Sequence, residues 1–387
     1  MQVLIDNPVQ STFIFISIFF AALLISARIK KPGQFFPISQ TQELKGLAIL
    51  FVVISHIGYF LAADNRFLFP FSIMAGVGVN LFLFLSGLGL TASALKKKLS
   101  IFGFYRKNLL KLFTPFWLSL ILFLLLDFFV LKIVYPWQFI EKAFLGFFPS
   151  ADLYRDLNSP LWYFTLILFY YLVFPLFFNK KFPWLSAAAI YAASYFILRQ
   201  NIDCISWVAP FYRSHNMAFP LGILAGWVFY GSPFQYKTNG FYIRLKNAMS
   251  RAADALGRSK KYLLGAGHCV LIISLIAAAC YLAYYFSGGE DTIKGQMINI
   301  VTMSAVLCLF LIKKIEFKLL QIFGKYSYEI YLLHWPVLYR YDLFYKYLPS
   351  WLATVFYLIF FVGIALALKK ISEAILTGID KMTHSRP

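Results

Sequence analysis

The sequence predicts an all-α integral membrane protein of about eleven transmembrane helices, N-terminus outside and C-terminus in the cytoplasm. Three observations carry this. The 387 residues are 60% hydrophobic, 20% aromatic and only 13% charged, more apolar surface than a soluble domain can hide. Apolar windows of spanning length recur along the whole chain. The basic residues, finally, gather on alternate loops, as the positive-inside rule requires.

Taken in order, the windows cover 11–27, 46–63, 69–95, 112–131, 160–178, 183–198, 216–230, 262–286, 297–312, 326–339 and 350–368. The seventh and tenth are the shortest or most broken. With the N-terminus outside, the basic clusters within 28–45, 96–111, 180–181, 237–261, 313–325 and 369–386 share one side. Roughly 27 of the Lys and Arg fall there and about 9 fall opposite. Residues 1–40 form an additional N-terminal transmembrane helix and basic linker, 41–370 the main membrane domain, and 371–387 a cytoplasmic tail. The first apolar run is followed, not preceded, by Arg28, Lys30 and Lys31, so it is expected to remain a span rather than act as a cleaved signal.

A formal charge of +20 would suggest nucleic acid in a soluble chain; here it reports loop asymmetry and contact with anionic membrane lipids, and no nucleic-acid partner is expected. Cys269, Cys280 and Cys308 fall in apolar windows and Cys204 near the end of one. No CxxC occurs, so neither a structural disulfide nor a metal site is expected. The segment 236–261 has seven basic residues, with Arg244, Arg251 and Arg258 at seven-residue spacing, and suits a helix lying on anionic lipid. The predicted outside loop 132–159 mixes aromatics with both signs of charge. It is long enough to cover a site, and equally able to be an interfacial cap without chemistry.

Candidate chemistry centres on KGLAILFVVISH, Lys45 to His56. Ionisable groups inside a span are costly and usually functional. Eleven positions on an α-helix place the two residues roughly 20° apart on one face and about 16 Å apart along the axis. In a hydrocarbon layer about 30 Å thick, a cation at one mouth would put His56 just past the midplane. Neutral imidazole is the default general base for a hydroxyl; the alternative is a packing histidine satisfied by Ser55 or Tyr59. Asn80 and Ser86 add polar groups to the glycine-rich third window, whose small residues also permit close helix contact. Arg106, Lys107 and Lys111 open a helix expected to end at Thr114 and Pro115, aiming cations at the mouth that holds Lys45; such clusters suit phosphate groups. No Gly-rich phosphate loop occurs, so side chains would hold them. In FGKYSYEIYLLHWPVL, Ser327, Tyr331 and His334 share a helix face, as a structural network or as catalytic groups. Glu329 lies well round from His334, and spacing alone does not pair them.

Together these blocks resemble acyltransferase family 3, integral membrane enzymes that O-acylate extracytoplasmic glycans. KGLAILFVVISH is similar to the family's basic-x10-His opening, LFLFLSG at Leu81 to Gly87 to its Ser-Gly block, and YRKNLLKLFTPFW to its basic segment before a proline. LWYFTLILFYYLVFPLF resembles its Trp-to-Tyr-Pro span and GKYSYEIYLLHWPVL its Ser-Tyr/His-Trp-Pro block. Two departures stand out: Lys45 occupies a position more often Arg, and Lys111 replaces an Arg with an offset relative to Pro115.

The resemblance implies a ten-helix unit in the cytoplasmic (inner) membrane of a bacterium, preceded here by one extra helix. It implies His56 as the essential histidine and Lys45, Arg106, Lys107 and Lys111 as acyl-CoA contacts, with Asn80, Ser86, Tyr331 and His334 as orienting or structural groups. It implies no permanent cofactor. The donor would be acyl-CoA, acetyl-CoA above all, and the acceptor a glycan or lipid-linked sugar. A homodimer or an envelope-assembly partner is compatible with this. The competing expectation is a transporter or flippase for lipid-linked sugars, which commonly carries internal repeats; the halves of this chain show no self-similarity.

Overall fold

In the computed structural model, seven helical stretches among the described residues are long and apolar enough to cross a bilayer: Pro8–Ile25, Ile38–Leu61, Ala75–Lys96, Ile101–Leu131, Ser159–Phe177, Lys294–Ile312 and Ser350–Met382. The structure describes residues 3–30, 36–96, 99–152, 156–200, 202–231 and 293–384, with Ser274, Ala277, Ala278 and Tyr281. The window at 262–286 and the basic segment 236–261 lie outside the described residues, except for those four isolated positions.

The chain runs α1 (Pro8–Ile25), β1 (Ala27–Ile29), α2 (Ile38–Ser55), α3 (Ala75–Lys96), α4 (Ile101–Leu126), α5 (Trp137–Phe144), α6 (Trp162–Phe177) and α7 (Pro183–Arg199). Then follow α8 (Ala209–His215), α9 (Ala218–Tyr230), α10 (Ile293–Ile312), β2 (Ile315–Phe317), α11 (Lys318–Lys325), α12 (Ser327–Pro336) and α13 (Ser350–His384). The window at 183–198 is the 17-residue α7, and that at 216–230 is broken, as α8 and α9. Pro220 explains part of the break: without an N–H it cannot bond back into a preceding turn. The helix α13 runs unbroken past Leu368, where its predicted window ends.

One expectation is corrected. The basic helix does not end at Thr114 and Pro115; α4 passes straight through Pro115. The lost backbone bond at a proline is tolerated in a spanning helix because neighbouring helices satisfy the freed groups. Arg106, Lys107 and Lys111 therefore occupy the first three turns of a full span.

Two crossings set the bundle. Gly87 and Gly222 bring α3 against α9 so closely that a Cβ on either would lie 2.3 Å from Phe219 O or 2.1 Å from Phe84 O. Small residues at such crossings replace the hydrophobic driving force that lipid removes. The other crossing joins α2 to α11. By contrast, only 17% of α1 is buried, and its apolar residues run all round the helix, as for a span facing lipid. It is clipped on by antiparallel pairing of β1 with β2, Ala27 opposite Phe317 and Ile29 opposite Ile315. Beside that ribbon, Lys313 Nζ lies 2.5 Å from Glu43 Oε1 and bonds Ile315 O, and Gln40 donates to Phe310 O. Burial pushes the Lys313 ammonium down, and the Glu43 carboxylate opposes the shift.

Three helices end in a π-helical turn at the opposite end: His56–Leu61 after α2, Asp127–Leu131 after α4 and Val337–Tyr341 after α12. Such turns are rare and gather at functional sites. The second and third are tied by buried Arg340, which donates to the Asp127 carboxylate, to Tyr135 OH at 2.7 Å and to Asp156 O at 2.7 Å. Tyr341 OH also donates to Asp127, at 2.7 Å. The segment between α4 and α6 is thereby held against the end of α12. Burial and the bond to Asp127 push the Tyr135 phenol up, and burial raises the Asp156 carboxyl.

Candidate functional site

His56 stands where α2 gives way to its π turn, and α12 carries His334 to meet it. His56 Nδ1 lies 2.7 Å from His334 Nε2, with ring centroids 4.9 Å apart. Trp335 also packs against His56, with ring centroids 5.0 Å apart. The packing alternative expected from sequence gave His56 to Ser55 or Tyr59; instead Ser55 Oγ is directed to Phe71 O and the imidazole pairs with His334.

The hydrogen positions follow from what each neighbour can accept. His334 Nδ1 faces two carbonyl oxygens, Tyr331 O at 2.8 Å and Ile330 O at 3.2 Å. Carbonyls only accept, so Nδ1 carries the hydrogen and, in the neutral ring, Nε2 is an acceptor. His56 must then donate from Nδ1, which leaves the lone pair on His56 Nε2. No other protein hydrogen bond engages the His56 imidazole among the described residues.

His56 lines a cavity of about 220 Å³. Tyr331, Tyr163, Trp162 and His215 share its wall, with Ala151, Ser159 and Pro160 from the segment between α4 and α6. That segment thus forms part of the cavity wall. Two bonds seat it on α12: Tyr331 OH donates to Pro160 O at 2.8 Å, and Asn158 Nδ2 donates to Leu332 O at 2.9 Å. Tyr331 is therefore a brace whose hydroxyl is already engaged.

Lys45, three turns below His56 on α2, is half-buried and faces Glu329 and Lys369. Glu329 in turn lies 3.9 Å from Lys369 Nζ. Its partners are these cations and not His334. Lys369 also donates to Lys325 O at 2.9 Å, and two lysines, Lys45 and Lys369, act on the one carboxylate. Arg106, Lys107 and Lys111 are exposed on α4. Their helix reaches this cluster through Tyr328, whose OH donates to Leu112 O at 2.6 Å. The structure thus brings Lys45, Lys369, Arg106, Lys107 and Lys111 to one end of the bundle.

Asn80 and Ser86 sit elsewhere than beside His56. Asn80 Oδ1 lies 2.8 Å from His215 Nδ1, so the imidazole it orients is a second one. Ser86 lies near Tyr171 and does not line the cavity. Sequence reasoning missed His215, because the seventh window opens one residue after it. It also missed Lys369 as a partner of Glu329. For His215 the available signal was a lone imidazole between two proline-interrupted apolar runs.

The family model described as "Acyltransferase domain", that of acyltransferase family 3, matches residues 44–370, most of the chain. The match contains Lys45, His56, Arg106, Glu329, His334 and Lys369, and α1 precedes it. No curated protein and no solved structure gives a match. A cavity within a bundle of apolar helices, and a family model covering nearly all of them, together lead to one statement: the chain belongs to acyltransferase family 3 and is a multi-pass membrane acyltransferase.

Proposed function

We propose that the protein moves an acetyl or similarly short acyl group from cytoplasmic acyl-CoA to a hydroxyl of an extracytoplasmic glycan or lipid-linked sugar. The observation that carries this reading is the His56–His334 pair, which leaves the His56 Nε2 lone pair free on a residue that lines the cavity. The acceptor oxygen attacks the thioester carbon as its proton passes to Nε2. The C–S bond then breaks, and the departing thiolate takes that proton to leave as free CoA. His334 holds the ring of His56 in the required tautomer. The cations around Glu329 and on α4 take the phosphates of CoA, for which clustered Lys and Arg side chains are suited.

The cavity is smaller than the roughly 300–1,000 Å³ typical of drug-sized sites. It suits the reacting ends of two substrates and not their whole length. The test uses protein purified into nanodiscs, given labelled acetyl-CoA and a glycan extract from source cells lacking the gene. Label should enter the glycan with one free thiol released per acyl group. No thiol release above a His56→Ala control would leave a sugar transporter as the better reading.

A further inference from the structure

The cavity that holds His56 has a second imidazole on its wall. His215, at the end of α8, is only 7% exposed and is fixed from two directions. Trp162 stacks on it at 5.9 Å and 14°, and its Nδ1 lies 2.8 Å from Asn80 Oδ1. An amide oxygen only accepts, so Nδ1 carries the hydrogen and Nε2 of the neutral ring holds a lone pair. Among the described residues no protein group engages it. Asn80 is wholly buried, and its Nδ2 has no partner. Leaving such a group unpaired is destabilising, a cost that an apolar residue filling the same space would avoid. A histidine and asparagine kept in this state do more than pack.

We propose that His215 is a positioning residue for the acceptor. Its Nε2 accepts a hydrogen bond from a second hydroxyl of the sugar whose first hydroxyl gives its proton to His56. This rests on the acyl-transfer reading above and narrows the acceptor class to a sugar unit with two hydroxyls close enough to be held at once. The size of the cavity supports the pairing: one ring-sized group in about 220 Å³ meets both walls. Much of the remaining lining is aromatic, including Phe60, Phe82 and Phe211, and suits the C–H faces of a sugar.

Gly76 supplies an independent probe. A Cβ there would stand 3.7 Å from His215 Cε1 and 3.8 Å from Asn299 Oδ1, ordinary contacts. A larger side chain at this position fills the corner beside His215 without replacing a hydrogen-bonding group.

The experiment uses nanodisc-embedded protein, labelled acetyl-CoA and the glycan extract, following label in glycan separately from label lost to water. His215→Phe keeps a ring to stack on Trp162 but has no lone pair. Transfer should fall at least tenfold at low extract concentration and recover partly as extract is raised, with a larger share of thioester lost to water. Asn80→Leu and Gly76→Leu should behave alike, whereas Asn80→Asp, which keeps an acceptor for Nδ1, should retain most transfer. Wild-type dependence on extract concentration in His215→Phe would overturn the assignment while leaving acyl transfer intact. So would an equal loss of transfer and hydrolysis in His215→Phe alongside a normal Gly76→Leu. No labelled glycan from the wild-type protein would remove both readings together.

Discussion

Gly46 of α2 and Gly324 of α11 face each other with no room for a Cβ on either. One built on Gly46 would lie 1.9 Å from Leu320 O, and one on Gly324 would lie 1.7 Å from Gln42 O. The two backbones touch directly, and α11 leads into α12 after a single residue. This crossing therefore sets where α12 carries His334 relative to His56.

Gly46→Ala and Gly324→Ala should each force the helices apart. Overpacking of this kind costs about 1–3 kcal/mol or more. A displacement near 1 Å at a catalytic pair can cost on the order of 100-fold in rate. Thermal unfolding in detergent and acyl-transfer assays measure the two effects. Gly89→Ala and Gly363→Ala are the controls, since nothing lies within 4 Å of a Cβ at either. They should be neutral or stabilising by up to about 1 kcal/mol. Four equal outcomes would remove the crossing from the account.

The histidine pair makes a graded prediction. His56→Ala should abolish transfer with normal membrane insertion, because it removes the group proposed as the base. His334→Phe should lower turnover by about 100-fold or more, within the range ascribed to general-base catalysis, because it fills the space but cannot accept from His56 Nδ1. His334→Gln, whose amide oxygen can accept, should fall between His334→Phe and the wild type. Equal activities for His334→Phe and His334→Gln would mean that His334 only packs.

The donor end is tested by binding. Lys45→Ala and Arg106→Ala should each weaken acyl-CoA binding by about tenfold, the loss expected for one charge-assisted contact. Lys45→Arg should keep much of the affinity. Glu329→Gln removes the carboxylate that the lysines now face and should tighten binding of the anionic donor. Isothermal titration with a non-hydrolysable acyl-CoA analogue reads all four. Unchanged affinity in both alanine variants would move the phosphates to other cations.

Much of this site is legible along single helices and little of it across them. Lys45 and His56 share one face of α2 because eleven residues nearly complete three turns, and hydropathy shows that the helix is continuous. The glycines of the third window likewise announce a close crossing. Pairings such as His56 with His334, or Asn80 with His215, join positions 278 and 135 residues apart. No local period reports on such contacts, which is why the imidazole that Asn80 bonds is not legible from its own helix. Pro115 misleads for a different reason: the rule that proline ends a helix belongs to water, where an unwound backbone is solvated.

Orientation can be read with impermeant maleimide on a variant lacking the four native cysteines. Gln138 on α5 and Lys181 between α6 and α7 are both exposed. With the N-terminus outside, Gln138→Cys should be labelled in intact cells and Lys181→Cys only after permeabilisation. The reverse pattern would invert the topology drawn from loop charge.

The last prediction concerns where the substrates enter. If Lys45 and the first turns of α4 lie at the cytoplasmic mouth, His56 sits about 16 Å further along the same helix, beyond the midplane of a hydrocarbon layer about 30 Å thick. The phosphates of CoA are too polar to follow, but the slender pantetheine arm can carry an acyl group along the bundle to His56. The sugar hydroxyl would then come from the other side, beneath the segment that places Ala151, Ser159 and Pro160 in the cavity wall. Vesicles with the protein in one orientation separate the two routes. Acetyl-CoA supplied only on the Lys45 side should yield acylated glycan on the opposite side. Acetyl-CoA supplied only with the glycan should yield none. Product that forms only when both substrates share the Lys45 side would reject transfer across the membrane, even for an enzyme that is an acyltransferase.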